Sequence, residues 1–594
     1  MKNYFIYGIL PLFLFAAFTK VSHAQNIDPT VVVSKEYEGK LMEVHKPQIE
    51  MAVPDSVLKF DLEFDYSVAE SPYKGAYEFR PYAMHMKPSQ TVRKMNTFYF
   101  KAGAGYQLHP QADMVWSLRP SDALRMNVYG IHRSFIGNYW SFVEPYDEAS
   151  GELVLDRMKP NDGSSRAWKG YDLVTKAGVD GRYDWEAGLL RFDLCYNGLA
   201  QQSRRFHEYT RGFNSFDASV GVASKQNTDR RLSYDVNLSY DLLGDHMAYT
   251  GALTAYALTG HEVGMDGTLS YSIDKDDRLL FDVGFDWVAS SGVIETGAGN
   301  FRIAPHYVME RGRWNIVLGA NLSKVFRAHT MVSPMYSHEA QVIYPDVHVS
   351  FMALPESLKL YLSLSGGNRM NSYSSLIDTD RRIDATYGRG VWNMMDVTDE
   401  SLSAVLGLKG RLWSRFSYEL RGGFVNYANA LLDAVVVRNV DDLTGLSYLP
   451  AVGYAPFKQA FAEMDFLLDM ENVSAGGNMK YSYSWGLPVD GSGGFFLPAA
   501  IKGNVYVEYN WNRRVYAGVD CRFTAARKGT VLESSSRAAT IPGYADLGVD
   551  VEYVFSPKLS FWAHGGNLLN MTVQNSLLYA EKGPYFTLGI CLNL

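Results

Sequence analysis

From about residue 97 to the end of the chain, apolar and polar positions alternate one by one. A period of two sends successive side chains to opposite faces of a β-strand. Leu232, Tyr234, Val236, Leu238 and Tyr240 share one face, and Ser233, Asp235, Asn237, Ser239 and Asp241 share the other. The split returns in Leu279, Phe281, Val283, Phe285 and Trp287 against Asp282, Gly284 and Asp286. It returns again in Val505, Val507, Tyr509 and Trp511 against Asn504, Tyr506, Glu508 and Asn510. A last clear example sets Ala545, Leu547, Val549, Val551 and Tyr553 against Asp546, Gly548, Asp550 and Glu552.

Soluble antiparallel sandwiches alternate in the same way, so the connections decide. Tight polar turns are expected at Pro120-Ser121-Asp122, Asp180-Gly181-Arg182, 226–230, 274–277, Arg311-Gly312-Arg313, Pro355-Glu356-Ser357, 411–415, Glu471-Asn472, Asn512-Arg513 and Ser556-Pro557-Lys558. Between neighbouring turns lie longer connections, such as 136–167, 371–400 and 428–450. Short connections at one end and long ones at the other are the pattern of an outer-membrane barrel. Ten turns join twenty strands, and one strand on either side brings the count to 22, within two. An even number is what both chain ends in the periplasm require. Closure follows because an open edge would leave backbone groups unpaired in lipid. The expected fold is all-β: a transmembrane antiparallel β-barrel of about 22 strands over residues 96–594, with short periplasmic turns and long extracellular loops. Phe586, Leu588, Ile590, Leu592 and Leu594 line one face of the last run, as a closing strand would.

Composition agrees with a sheet that faces two media. The 594 residues are 14% aromatic and include 40 Tyr and 52 Gly, and after the first 20 there is no apolar run of about 18 residues that a spanning helix needs. Three cysteines cannot make a disulfide framework; by parity Cys195 and Cys591 point inward and Cys521 outward. A formal charge of −8 argues against nucleic acid as a partner. Tyr99, Trp116, Trp140, Trp287, Trp413, Trp485 and Trp511 fall at strand ends, where interfacial girdles form. Tyr139, Trp140, Tyr146, Tyr373, Tyr387 and Trp392 lie in long loops and are the candidate ligand contacts. The inward faces carry Asp235, Asp241, Asp266, Asp282, Asp286, Asp546, Asp550 and Glu552, with Arg191, Lys409, Arg421 and Arg522 as partial partners, the mark of a solvated and mutually paired wall.

The first residues differ. Met1-Lys2, the apolar stretch Phe5 to Phe18 and Val21-Ser22-His23-Ala24-Gln25 make residues 1–24 a secretory signal peptide. Residues 25–95, with Pro47, Pro54, Pro72, Pro81 and Pro88 among mixed charges, are expected to form an extended, irregular periplasmic or lumenal arm. No Gly-x-Ser-x-Gly elbow, His-Glu-x-x-His pair or phosphate-cradling Gly-Lys-Ser/Thr loop occurs, so neither an enzyme nor a cofactor is expected. Met84-His85-Met86 and the trio His329, His338 and His348, placed near an external loop, lack the spacing of a preformed metal site.

The last 54 residues resemble the end of TonB-dependent receptor barrels. Ile541-Pro542-Gly543-Tyr544 opens a strand, Phe555-Ser556-Pro557-Lys558 turns it, Asn567-Leu568-Leu569-Asn570 follows the next strand, and Gly583-Pro584-Tyr585-Phe586-Thr587-Leu588-Gly589 leads into the terminal one. The resemblance implies an outer-membrane receptor that takes up an external ligand. It also implies a short exported box that pairs as an added strand with TonB. Residues 28–34, centred on Thr30, Val31, Val32 and Val33, resemble such a box; the other reading is a strand that pairs in the lumen or with another periplasmic protein. The front departs from the family, because about 70 residues between Gln25 and Thr97 are too few for its folded plug. A 22-strand barrel needs its lumen filled. That task is expected to fall to residues 25–95 with inward-bent external loops, or to a separate protein. The partners implied are outer-membrane lipid, the barrel-assembly machinery during biogenesis, TonB or another periplasmic protein, and an external ligand. The missing plug leaves a second reading open: a non-transporting barrel subunit of an outer-membrane assembly, its arm docking periplasmic partners.

Overall fold

The computed structural model describes residues 97–594, apart from 141, 144–151, 154–155, 158–166, 205–207, 226–230, 250–254, 328–335, 356, 384–393, 414, 439–446, 488–493 and 533–535. The expected signal peptide (1–24), the expected arm (25–95) with the box expected at Thr30 to Val33, Met84-His85-Met86, Tyr146, His329, Tyr387 and Trp392 lie outside the described residues.

The alternating runs form 22 barrel strands. They are β1 (Phe98–Tyr106), β2 (Gln111–Leu118), β3 (Leu124–Trp140), β4 (Ala167–Asp184), β5 (Gly188–Arg204), β6 (Glu208–Ser224), β7 (Leu232–Tyr249) and β8 (Ala255–Ser272). Then come β9 (Asp277–Gly292), β10 (Thr296–Arg311), β11 (Trp314–Arg327), β12 (Ile343–Leu354), β13 (Leu358–Met370), β14 (Val397–Leu412), β15 (Phe416–Arg438) and β16 (Ser447–Asp469). The last are β17 (Val473–Trp485), β18 (Ile501–Trp511), β19 (Val515–Thr524), β20 (Tyr544–Ser556), β21 (Leu559–Gly566) and β22 (Tyr585–Asn593). Each is antiparallel to the next, and β22 pairs with β1 from Tyr99↔Asn593 to Tyr106↔Phe586, which closes the cylinder. The backbone N–H groups of Thr97 and Phe98 add bonds of 2.7 and 2.9 Å to the Leu594 carbonyl.

The outer face carries the apolar half of each run. Leu232, Tyr234, Val236, Leu238 and Tyr240 are exposed, as are Val505, Val507, Tyr509 and Trp511. A closed sheet with an apolar outside and a polar inside is stable only with lipid around it. The inner wall is paired across strands, as Arg191 with Asp235, Arg522 with Asp546 at 2.9 Å and Arg421 with Glu463 at 2.9 Å show. Pattern reading misses three of the partners. Arg302 lies 3.2 Å from Asp266 and 3.5 Å from Asp286, His306 bridges Asp282 and Asp346, and His564 is 2.8 Å from Asp550. Cys195 and Cys591 are buried on the lumen side, Cys521 is half-buried, and all three are free thiols.

Several expectations need correction. Asp180-Gly181-Arg182 is not a turn but lies inside β4, opposite Asp193, Phe192 and Arg191; the chain reverses at 185–187. Gly181 serves packing there, since a Cβ on it would stand 2.3 Å from the Phe192 ring. The connections after β1, β5, β7 and β9 are as short as the periplasmic turns. The connection expected at 428–450 is mostly strand, because β15 and β16 each run for 23 residues. Tyr99 does not join a girdle: it sits opposite Asn593, on the side of Lys101 and Cys591 that faces the lumen. His348 lies within β12 rather than near a loop. Trp116, Trp413, Trp485 and Trp511 do stand exposed at strand ends or turns.

Candidate functional site

Toward the external ends of the strands the inward face takes up apolar side chains among its polar ones. Leu199 on β5, Phe213 on β6, Leu243 and Met247 on β7 and Leu258 on β8 are buried. So are Ala434 and Val436 on β15 and Ala451 and Val452 on β16, close to half the circumference away. Among the described residues, 371–383 and 394–396 of the connection between β13 and β14 lie between these walls, joined by Ile294 and Tyr336 from two other connections.

Its local structure follows from its sequence. Ser372 caps the helix α1 (Tyr373–Thr379), its hydroxyl accepting the Ser375 N–H at 3.2 Å. Tyr373, Leu376 and Ile377 recur at the spacing of one helical face and are all buried. Asp380 ends the helix: its N–H bonds the Leu376 carbonyl at 3.0 Å, and its carboxylate accepts the Arg382 N–H at 2.9 Å. The apolar face packs with Ile294, Tyr336, Ile383, Met394 and Met395 into one core with the wall residues above, Met247 excepted.

Both roots of this connection are pinned. The Asn371 amide donates to the Asp396 carbonyl at 2.9 Å and to the Thr398 hydroxyl at 2.8 Å, and the Tyr336 hydroxyl donates to the Asn371 carbonyl at 3.0 Å. Asp396 accepts from the Ser337 hydroxyl and the His338 N–H at 3.2 Å, and Asp399 pairs with His338 Nε2 at 2.9 Å. A cavity of about 280 Å³ lies beside this root, lined by Ser337, His338, Asp396, Asn429, Tyr454 and Phe495. Much of its polar lining is already engaged within the protein.

The far side is held by charge. Arg211 on β6 and Asp245 on β7 form an ion pair whose side chains are 0% and 1% exposed. The Arg211 guanidinium also donates to the carbonyls of Arg381 at 2.7 Å and Ile383 at 2.9 Å and to the Tyr373 hydroxyl at 2.8 Å. Tyr373 in turn donates to Asp245. One buried arginine thus bonds the wall and three residues of the inserted loop. Further out, Arg381 reaches Asp172 on β4 at 2.7 Å and Arg382 reaches Glu581 at 2.9 Å. Asp380 accepts from Ser576.

Glu581 belongs to the connection before β22. Burial alone would raise its carboxyl, but Arg382, Arg381 and Lys582 overcome that and hold it at about 2. Burial, aided by Arg381, brings the Lys582 ammonium down to about 8 against the opposing pull of Glu581. Lys582 stands 4.0 Å over the Tyr585 ring and 3.2 Å from His109 Nε2. Burial, and then Lys582, push His109 down to about 3.

The residues singled out from sequence are placed as follows. Phe586, Leu588 and Ile590 are exposed on the outer face of β22 with Leu594 at its end, and Leu592 is half-buried on the same face. Asn567 and Asn570 take positive φ, 48° and 51°, in the turn after β21. The Asn567 amide donates to the Met571 carbonyl at 2.9 Å and its oxygen accepts the Met571 N–H at 3.0 Å, while Leu568 and Leu569 are exposed. Tyr139 and Tyr373, candidate ligand contacts, are buried instead. Sequence reasoning misses Arg211, Asp245, Arg381, Arg382, Asp172 and Glu581. The available signal is the loss of inward polarity around them, in Leu243-x-Asp245-x-Met247 and Arg211-x-Phe213. Among the described residues no group of three His, Cys, Asp or Glu could hold a metal ion.

No protein-family model matches the chain, and no curated protein does. Solved structures with a similar fold include the siderophore receptor PirA from Acinetobacter baumannii, at 10% identity and TM-score 0.58, covering 84% of this chain and 81% of that one. The FrpB iron transporter from Neisseria meningitidis shows 9% identity and TM-score 0.59 over 84% of this chain and 82% of its own. The copper transporter OprC shows 10% and 0.57 over 84% and 83%. At such identities the likeness is one of fold: the chain forms a closed 22-strand antiparallel barrel of the shape those structures share, with no full plug among the described residues.

Proposed function

We propose that the protein is a TonB-dependent receptor-like barrel that takes up an external ligand across the outer membrane. The observation that carries the reading is a 22-strand barrel of receptor and transporter type whose external mouth is occupied by its own packed loop. A loop packed across the mouth narrows it, and moving that loop takes work supplied from elsewhere. Residues 28–34 are the segment suited to receive that work from TonB, and residues 25–95 would serve as the reduced plug that transmits it. The fold names no ligand; the iron, siderophore and copper of the similar structures belong to those proteins.

The test is direct binding of the purified full chain to the C-terminal domain of TonB, followed by calorimetry. One-to-one binding is expected, lost when residues 28–34 are deleted and weakened at least about tenfold by Val32→Pro, since proline cannot donate to an added strand. Binding that survives the deletion would rule out the box. No binding at all would favour the reading of a barrel subunit in a larger assembly.

A further inference from the structure

We propose that residues 371–383 form a strap latched from inside the barrel by Arg211 and Asp245, and that this latch keeps the external mouth shut until the strap is released. The inference stands on the geometry of the mouth and holds whether or not TonB drives transport.

Three observations lead to it. The strap is rooted on one side of the barrel, at Asn371 and Asp396, and bonded on another, at β4, β6, β7 and the connection before β22. It therefore crosses the lumen instead of lining it. Its two kinds of contact also differ in how they fail. The apolar face of α1 is short, seven residues with three buried side chains, and a helix of that length has no stability of its own. Release of the far side would let it melt. Arg211 and Asp245, by contrast, are fully withdrawn from water, and the charge-assisted bonds that the strap adds to the buried guanidinium are the stronger hold.

The third observation is the sharing of acceptors. Arg211 bonds the carbonyls of Arg381 and Ile383 and the hydroxyl of Tyr373 only while the strap is in place. Asp245 stays beside Arg211 on the neighbouring strand with or without the strap, since Arg211 and Met247 are cross-strand partners two residues from it. The wall pair thus persists as a fixed socket, and the strap supplies the remaining acceptors. Such a socket favours one closed position and offers a two-state release.

Purified full chain in planar bilayers, bathed in KCl, separates the outcomes. The wild-type chain is expected to be closed with rare brief openings. Tyr373→Phe, which removes only the strap's hydroxyl, should raise the open fraction several-fold, and Arg211→Ala by about tenfold or more. Heat-modifiable gel migration reports whether each variant still forms a barrel. If Arg211→Ala does not fold, Tyr373→Phe carries the test, since it leaves the wall pair unchanged. A wild-type chain that conducts steadily, or folded variants that stay as closed as wild type, would overturn the latch.

Discussion

Glu581 shows how a single carboxyl can be tuned for one job at the mouth. Its pKa of about 2 lies below its ordinary value of 4.5, so the interactions that depress it stabilise the closed mouth fully at any pH above the ordinary value. That stabilisation is lost as pH falls from about 4.5 through about 2. The shift corresponds to about 3 kcal/mol. Glu581→Gln removes the charge at every pH. The difference between wild type and this variant in the free energy of opening, read from the open fraction in planar bilayers, should therefore persist down to about pH 5. It should shrink toward zero by pH 2. A difference that collapses between pH 7 and pH 5 would mean that Arg381 and Arg382 do not hold Glu581 as described. None of this is legible in sequence, because Arg382 and Glu581 are 199 positions apart and only the closed cylinder brings them together.

At the scale of the strand, two faces with opposite solvents make substitutions predictable by parity. Val236 on β7 faces lipid and Ser233 faces the lumen. Val236→Arg should cost about 2–4 kcal/mol in urea unfolding from lipid vesicles, as a charge near the bilayer midplane does, while Ser233→Lys should stay within about 0.5 kcal/mol. Equal losses at the two positions would contradict the assigned faces. Parity is also what makes the strands legible in the amino-acid sequence. The Leu232 to Asp241 alternation, and that of 504–511, appear in the barrel as read. The rule fails where its cause fails. Toward the external ends of β5 to β8 the inner face meets the strap, so Leu243 is apolar where parity calls for a polar residue. For the same reason β15 and β16 extend through a stretch that reads as loop. Gly181 misleads in another way: glycine marks turns, but here it makes room for the Phe192 ring across the pair.

For the whole molecule the decisive contact is the one that joins first strand to last, since only it turns a long sheet into a barrel. Gly103 on β1 and Gly589 on β22 are direct partners in that seam, and the indole of Trp562 on β21 lies across both. The indole N–H donates to the Ile590 carbonyl at 3.2 Å, and the Lys101 ammonium stands 4.5 Å above the ring. A Cβ on Gly589 would fall 2.2 Å from the Ala102 carbonyl oxygen and 2.5 Å from the indole. The ring could shift, but the carbonyl belongs to the β1 backbone and cannot move without opening the pairing. Gly589→Val should therefore impair closure by more than the roughly 1–3 kcal/mol of ordinary overpacking, seen as loss of the heat-modifiable folded band. Adding Trp562→Ala should restore only part of it, because the Ala102 carbonyl remains. Ile590→Val, one residue away on the lipid face, should fold as wild type. Full rescue by Trp562→Ala would place the obstruction in the indole alone; a normal folded band for Gly589→Val would mean that the seam is held from elsewhere.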